Sequence, residues 1–122
     1  MKTIPRISDA EWTVMKVLWN HSPLPASDII EALEQSERWA PKTVKTLINR
    51  LVKKGALGFS REGRAYLYRP LVTESACTTA ASEAFLSRVF GGSLQPMLAH
   101  FVGEKRLSAK EVQELKRLLD GQ

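Results

Sequence analysis

Between Glu37 and Glu62 the sequence has no acidic residue, yet that gap holds Arg38, Lys42, Lys45, Arg50, Lys53, Lys54 and Arg61. Clustered fixed cations attract a polyanion, because each phosphate they neutralise releases condensed counterions. Arg64 and Arg69 follow, with Tyr66 and Tyr68 interleaved. The imbalance is confined to one part of the chain. Residues 1–71 hold 12 basic and 7 acidic side chains and residues 72–122 hold 6 of each, so the net +5 lies wholly in the first part. A solvated basic face would produce the same count. Position on the fold has to decide.

Other chemistries find little support. The two histidines, His21 and His100, stand 79 positions apart, with no H-E-x-x-H, G-x-S-x-G or phosphate-loop pattern. No catalytic residues are expected, and the chain does not read as an enzyme. Cys77 is the single cysteine, so it can neither close an internal disulfide nor build a zinc site alone. It reads as a small apolar filler rather than a redox sensor, and no metal or cofactor is expected. No apolar stretch approaches the roughly 18 residues of a membrane span. Met1 to Trp12 lacks a signal-peptide core and carries Ser8, Asp9 and Glu11. The expectation is a cytoplasmic protein without membrane insertion. Its 122 residues fit one compact domain, or a small domain with an assembly segment.

The elements that must position the cations are legible in order. Ser8-x-x-Glu11 is a capping box, and the apolar run from Trp12 to Trp19 predicts a helix from about Ser8 to Asn20. His21-Ser22-Pro23-Leu24-Pro25 breaks it. A short helix is expected from about Ala26 to Gln35, then a loop from Ser36 to Ala40. Pro41 suits the first turn of a third helix and Gly55 its C-terminal cap. Within it Val44, Leu47, Ile48, Leu51 and Val52 recur at helical spacing and form one apolar stripe. The same spacing puts Lys42, Thr46, Asn49 and Lys53 on the opposite face, with Lys45 and Arg50 flanking. Leu57–Arg61 and Ala65–Arg69 alternate about Glu62-Gly63 and predict a hairpin.

Three helices, the third basic, followed by a hairpin with arginines near its tip, is the order of a winged helix-turn-helix. In that arrangement the third helix enters the DNA major groove and the hairpin is a wing near the backbone. The fold class is therefore mainly α with a small β-hairpin wing, carrying a C-terminal helical segment. The expected division is 1–72 for the DNA-binding domain and 73–122 for helical dimerisation. The tail is read as helices over about Thr73–Phe90 and Leu94–Val102, separated by Gly91-Gly92-Ser93. A last helix opens at the capping box Ser108-x-x-Glu111. About fifty residues in three short helices bury little surface alone. Either an intertwined homodimer completes their core, or they pack back onto the winged helix.

Three segments carry a resemblance. They are Asp9-Ala10-Glu11-Trp12-x-Val14-Met15-x-Val17-Leu18-Trp19, then Trp39-x-x-Lys42-Thr43-Val44-x-Thr46-Leu47-x-x-Arg50-Leu51-x-x-Lys54-Gly55, then Arg64-Ala65-Tyr66-x-Tyr68-x-Pro70-Leu71. With them the chain resembles the penicillinase-repressor (BlaI/MecI type) regulators of bacteria over nearly its whole length. The resemblance implies a dimeric winged-helix repressor on palindromic operators, often before β-lactamase or related resistance genes. It implies Lys42, Thr43 and Thr46 as groove contacts, Arg50 nearer the backbone, and Arg64 and Tyr66 where the wing approaches phosphate. In the family a membrane-bound metalloprotease sensor triggers cleavage between an Asn and a Phe. Phe101 matches that Phe, whereas His100 stands in place of the Asn, which makes His100–Phe101 the corresponding bond.

The expected DNA-binding set is thus Trp39, Lys42, Thr43, Lys45, Thr46, Asn49, Arg50, Lys53, Arg64 and Tyr66. Trp39 sits in a polar loop, where core packing and backbone contact both remain open. Trp12 and Trp19 are expected in the core, and His21 in a solvated turn. Phe101 is equally readable as a core residue of the dimer interface. Two other functional readings stay open: a winged-helix repressor released by a small ligand in its tail, and a protein-binding winged helix.

Overall fold

Ser8 caps the first helix as its side chain predicts. The structure, a computed structural model, describes residues 4–121. In chain order the elements are α1 (Asp9–Asn20), β1 (Leu24–Pro25), α2 (Ala26–Glu37), α3 (Pro41–Lys54), β2 (Leu57–Glu62), β3 (Ala65–Pro70), α4 (Glu74–Phe90), α5 (Leu94–Gly103) and α6 (Ala109–Asp120). At α1 the Glu11 N–H donates to Ser8 Oγ at 3.2 Å and the Ser8 N–H donates to Glu11 Oε1 at 2.8 Å. Ser108 and Glu111 repeat this reciprocal pair at α6. Pro41 occupies the first turn of α3, and Gly55 closes it at φ +82°, where a Cβ would be strained.

The first core gathers one stripe from each of the first three helices. Val14, Met15 and Leu18 of α1 meet Ile29 and Leu33 of α2 and Val44, Leu47, Ile48 and Leu51 of α3. Trp12 and Trp19 are half-buried against it, their rings edge to face at 5.4 Å. The Trp19 indole N–H donates to the Val72 carbonyl at 2.9 Å. Ala56, Leu57, Val72 and Cys77 complete the cluster. Burial pushes the Cys77 thiol up from its ordinary value, which suits a filler and not a nucleophile.

Three local expectations shift. α2 continues through Glu37 and ends with Arg38 in the left-handed region, so the loop is shorter than Ser36 to Ala40. The hairpin turn is Gly63-Arg64, one residue later than expected: Glu62 still pairs with Ala65, and Gly63 takes φ +62° at the first turn position. Leu24–Pro25, read as a break, is a third strand: Leu24 pairs with Tyr68 and Pro25 with Leu67, giving the order β1-β3-β2. Proline is tolerated there because the strand lies at the sheet edge.

Two compact units divide between Ala81 and Ser82. The expected boundary lay at 72/73, but Cys77, beyond it, is buried in the first core. The first half of α4 accordingly belongs with the winged helix. In the second unit no residue of α5 or α6 is buried. The expected spans 1–72 and 73–122 also include residues 1–3 and 122, which lie outside the described residues. Among the described residues no helix is long and apolar enough to cross a membrane.

Candidate nucleic-acid interface

α3 puts its apolar stripe into the core, and this alone determines which side chains face outward. Lys42, Thr43, Lys45, Thr46, Asn49, Arg50 and Lys53 are all exposed. Successive residues turn by about 100°, so Lys42, Thr46, Asn49 and Lys53 share the face opposite Val44, Ile48 and Leu51. Lys42, Lys45, Arg50 and Lys53 take part in none of the ion pairs among the described residues. Basic Lys53 and Lys54 also occupy the last turn, where cations complement the helix dipole.

Thr46 is already partly committed. Its Oγ1 donates to the Lys42 carbonyl at 3.0 Å, one turn back. With its proton directed to the backbone, the hydroxyl offers a base only acceptor lone pairs. Asn49 offers both donor and acceptor, and the lysines offer donors alone. Such a face can hold phosphate and distinguish base edges.

The wing supplies a second set. Directly opposed residues of an antiparallel pair share a face, so the pairs Phe59–Tyr68 and Arg61–Tyr66 put three aromatic rings and one guanidinium together. Phe59 lies edge to face with Tyr66 at 5.2 Å and tilted against Tyr68 at 5.8 Å. Phe59 and Tyr66 are about half exposed, at 50% and 47%. Arg64 is exposed in the turn itself. Arg61 Nε donates to the Gly63 carbonyl at 3.2 Å, and Arg69 donates to Ser60 Oγ at 3.3 Å. Arg61 and Arg69 thus brace the hairpin, while Arg64 makes no ion pair among the described residues.

Two members of the basic gap behave differently from their neighbours. Trp39 is half-buried against the core cluster, which favours the packing role left open for it. Lys54 Nζ donates to Glu11 Oε1 at 2.5 Å and to the Arg6 carbonyl at 2.8 Å. Glu11 is only 1% exposed and is the buried charged residue among those described. Burial pushes its carboxyl up, but the Lys54 ammonium and the Ser8 hydrogen bonds outweigh that and hold it below its ordinary value. Sequence reasoning places Glu11 in the capping box and misses this second partner. Nothing local links residues 43 positions apart.

In the second unit His100 and Phe101 lie inside α5, with Phe101 36% exposed. The His100 ring tilts against Phe90 at 6.3 Å and against Phe101 at 6.1 Å. Phe85, Val89, Leu94, Val102, Leu118 and Leu119 are also exposed there. No group of three or more His, Cys, Asp or Glu side chains is placed to hold a metal ion among the described residues.

Known proteins resemble this chain. The sequence model of the family described as penicillinase repressor matches residues 7–121. A penicillinase repressor of Bacillus licheniformis is 42% identical over 120 residues, covering 98% of this chain and 94% of the relative. The methicillin resistance regulatory protein MecI of Staphylococcus aureus is 36% identical over 114 residues, 93% of each chain. The solution structure of the DNA-binding domain of the repressor BlaI matches with a TM-score of 0.56 at 49% identity, covering 62% of this chain and 92% of that one. The monomeric form of Bacillus licheniformis BlaI, solved in complex with the blaP half-operator, matches at 0.55 and 49%, with the same coverage. Family match, 42% identity over nearly the full length and the winged-helix architecture agree: the chain belongs to the penicillinase repressor family.

Proposed function

We propose that this chain is a sequence-specific transcriptional repressor that binds a palindromic DNA operator as a homodimer. The observation that carries the reading is the two-sided character of α3. Its apolar side is buried at Val44, Ile48 and Leu51, and its other side presents Lys42, Thr46, Asn49 and Lys53 to solvent. The relative solved on a half-operator supports the same use of the fold. In this reading Lys42, Thr43, Thr46 and Asn49 reach base edges, while Lys45, Arg50, Lys53, Arg64 and Tyr66 hold the backbone. Trp39 fixes the entry to α3 from its place against the core.

The homodimer is supported by the second unit, whose α5 and α6 contain no buried residue and leave Val102, Leu118 and Leu119 more than half exposed. Two copies would put recognition helices into successive major grooves, roughly 34–36 Å apart. We further infer control of a β-lactamase or related resistance gene, released when a membrane-bound metalloprotease sensor system leads to cleavage at His100–Phe101. Cutting the link between half-sites removes the effective concentration that makes the second contact tight.

Selection from a random-sequence duplex pool by the full-length protein tests the core of this reading. The expected product is a palindrome with about one helical turn between half-site centres. Lys53→Ala should weaken binding to all duplexes alike and flatten the salt slope by about one unit. Equal affinity for selected and scrambled duplexes would overturn it. Operator release by a small molecule, with the chain intact, would replace cleavage by ligand control.

A further inference from the structure

We propose that Glu11 and Lys54 are positioning residues for sequence readout, whose ion pair sets the axial register of α3 against α1. This rests on the reading of α3 as the helix that contacts DNA. The two side chains join the first turn of α1 to the last residue of α3. The Glu11 side chain is 2% exposed and that of Lys54 36%. Lys54 Nζ reaches Glu11 Oε1 and the Arg6 carbonyl, and the same Oε1 accepts from the Ser8 N–H. The carboxylate is therefore held from two sides, and the end of α3 is tied to both α1 and the segment before it.

The need for such a tie follows from the rest of the α3 interface. Within the helix its other anchors are the apolar side chains Val44, Leu47, Ile48 and Leu51, and the next directional tie lies beyond its end, where the Leu71 N–H donates to the Ala56 carbonyl at 2.8 Å. Hydrophobic burial resists separation, but it is non-directional and discriminates weakly against a small slide or rotation. Charge-assisted hydrogen bonds are short and directional. A shift of α3 along its axis would move Lys42, Thr46 and Asn49 together relative to the base pairs they read, without exposing the core. Such a pair adds little net stability, since neutral groups of similar volume can replace it at small cost; the role assigned to it here is conformational specificity.

Lys54 is also poorly placed for direct contact. It lies one residue on from Lys53, about 100° around the helix from the outward face. Its ammonium is already shared between a carboxylate and a carbonyl. It is the member of the basic gap that acts on DNA through another residue.

The test uses the full-length chain, the palindrome that the wild type selects from a random pool, and a scrambled duplex of equal composition. The double variant Glu11→Gln/Lys54→Met keeps the net charge, and Gln retains the capping box. Its affinity for the selected duplex should fall about tenfold, the scale for residues that modulate binding without touching ligand, while scrambled-duplex affinity and melting temperature stay close to wild type. Glu11→Gln alone gives a test of sign. Removing an anion should tighten binding to both duplexes if only charge matters, but should weaken binding to the selected one if positioning matters. Undiminished discrimination by the double variant would overturn the proposal. So would a parallel fall of both affinities with the melting temperature, which marks a merely structural pair. A salt slope shallower by about one unit in Lys54→Met, with discrimination intact, would instead make Lys54 a phosphate contact. If the wild type selects no sequence, the DNA-reading role falls first, a failure distinct from these.

Discussion

Thr46 Oγ1 donates to the Lys42 carbonyl at 3.0 Å, so two outward-facing residues of α3 are linked one turn apart. The hydroxyl is thereby fixed as an acceptor towards anything bound on that face. Thr46→Val removes the acceptor and keeps the shape. It should relax selection at one base pair, with a cost of about 1–3 kcal/mol at that position. Competition against single-base operator variants measures this, and unchanged selectivity would show that Thr46 reads no base.

Acid should weaken the fold partly through Glu11. Its folded carboxyl titrates below the ordinary value of 4.5, because the Lys54 and Ser8 hydrogen bonds outweigh burial. A depressed carboxyl contributes stability that is full above the unfolded value and lost as pH falls through the folded one. The window therefore lies below about pH 4.5–5. Circular dichroism melts between pH 7 and 2.5 should show a shallower acid loss in Glu11→Gln than in the wild type.

Truncation tests how far the first unit extends past Leu71. Val72 is 9% exposed and Cys77 2%, and Trp19 donates to the Val72 carbonyl. Ending the chain after Ala81 should leave a cooperative, monomeric winged helix that binds half-sites. Ending it after Leu71 removes buried apolar side chains and an acceptor, at a cost of about 3–5 kcal/mol. Thermal melts and sedimentation of the two fragments, beside a dimeric full-length chain, decide the matter.

Cleavage at His100–Phe101 requires α5 to open, because the bond lies inside Leu94–Gly103. Cells exposed to the inducer should accumulate fragments of about 100 and 22 residues, the lengths on either side of that bond in this chain. Substitutions at His100 that block cutting should leave the protein dimeric and uninducible. Intact protein in cells where the target gene is switched on would point to ligand release.

Features written in neighbouring residues were legible without a structure. Ser8 and Glu11 announce a helix start, Pro41 and Gly55 bracket α3, and the stripe from Val44 to Val52 names the buried face. These signals are chemical and short in range: caps satisfy orphan backbone groups, and a period of 3.6 sorts apolar from polar sides. The outward set Lys42, Thr46, Asn49 and Lys53 follows by subtraction. The hairpin was legible for the same reason, although alternation alone left its turn uncertain by one residue. Gly63 and the pairing of Glu62 with Ala65 decide it.

What the amino-acid order determined by itself is therefore the identity of the helices and the hairpin, and the outward face of α3. Only the tertiary structure decided what holds Lys54, the cation beside that face. Lys53 and Lys54 are adjacent and chemically identical, yet Lys53 stays exposed and without an ion-pair partner among the described residues, while Lys54 is held by Glu11 and Arg6. Likewise Leu24–Pro25 becomes a strand only because β3 passes beside it, and Val72 and Cys77 join the first core only because α1 to α3 leave room for them. Two residues have no period, and a lysine's partner 43 positions away leaves no mark on its neighbours. Such contacts exist once loop closure brings distant segments together, and until then each side chain carries only its local chemistry.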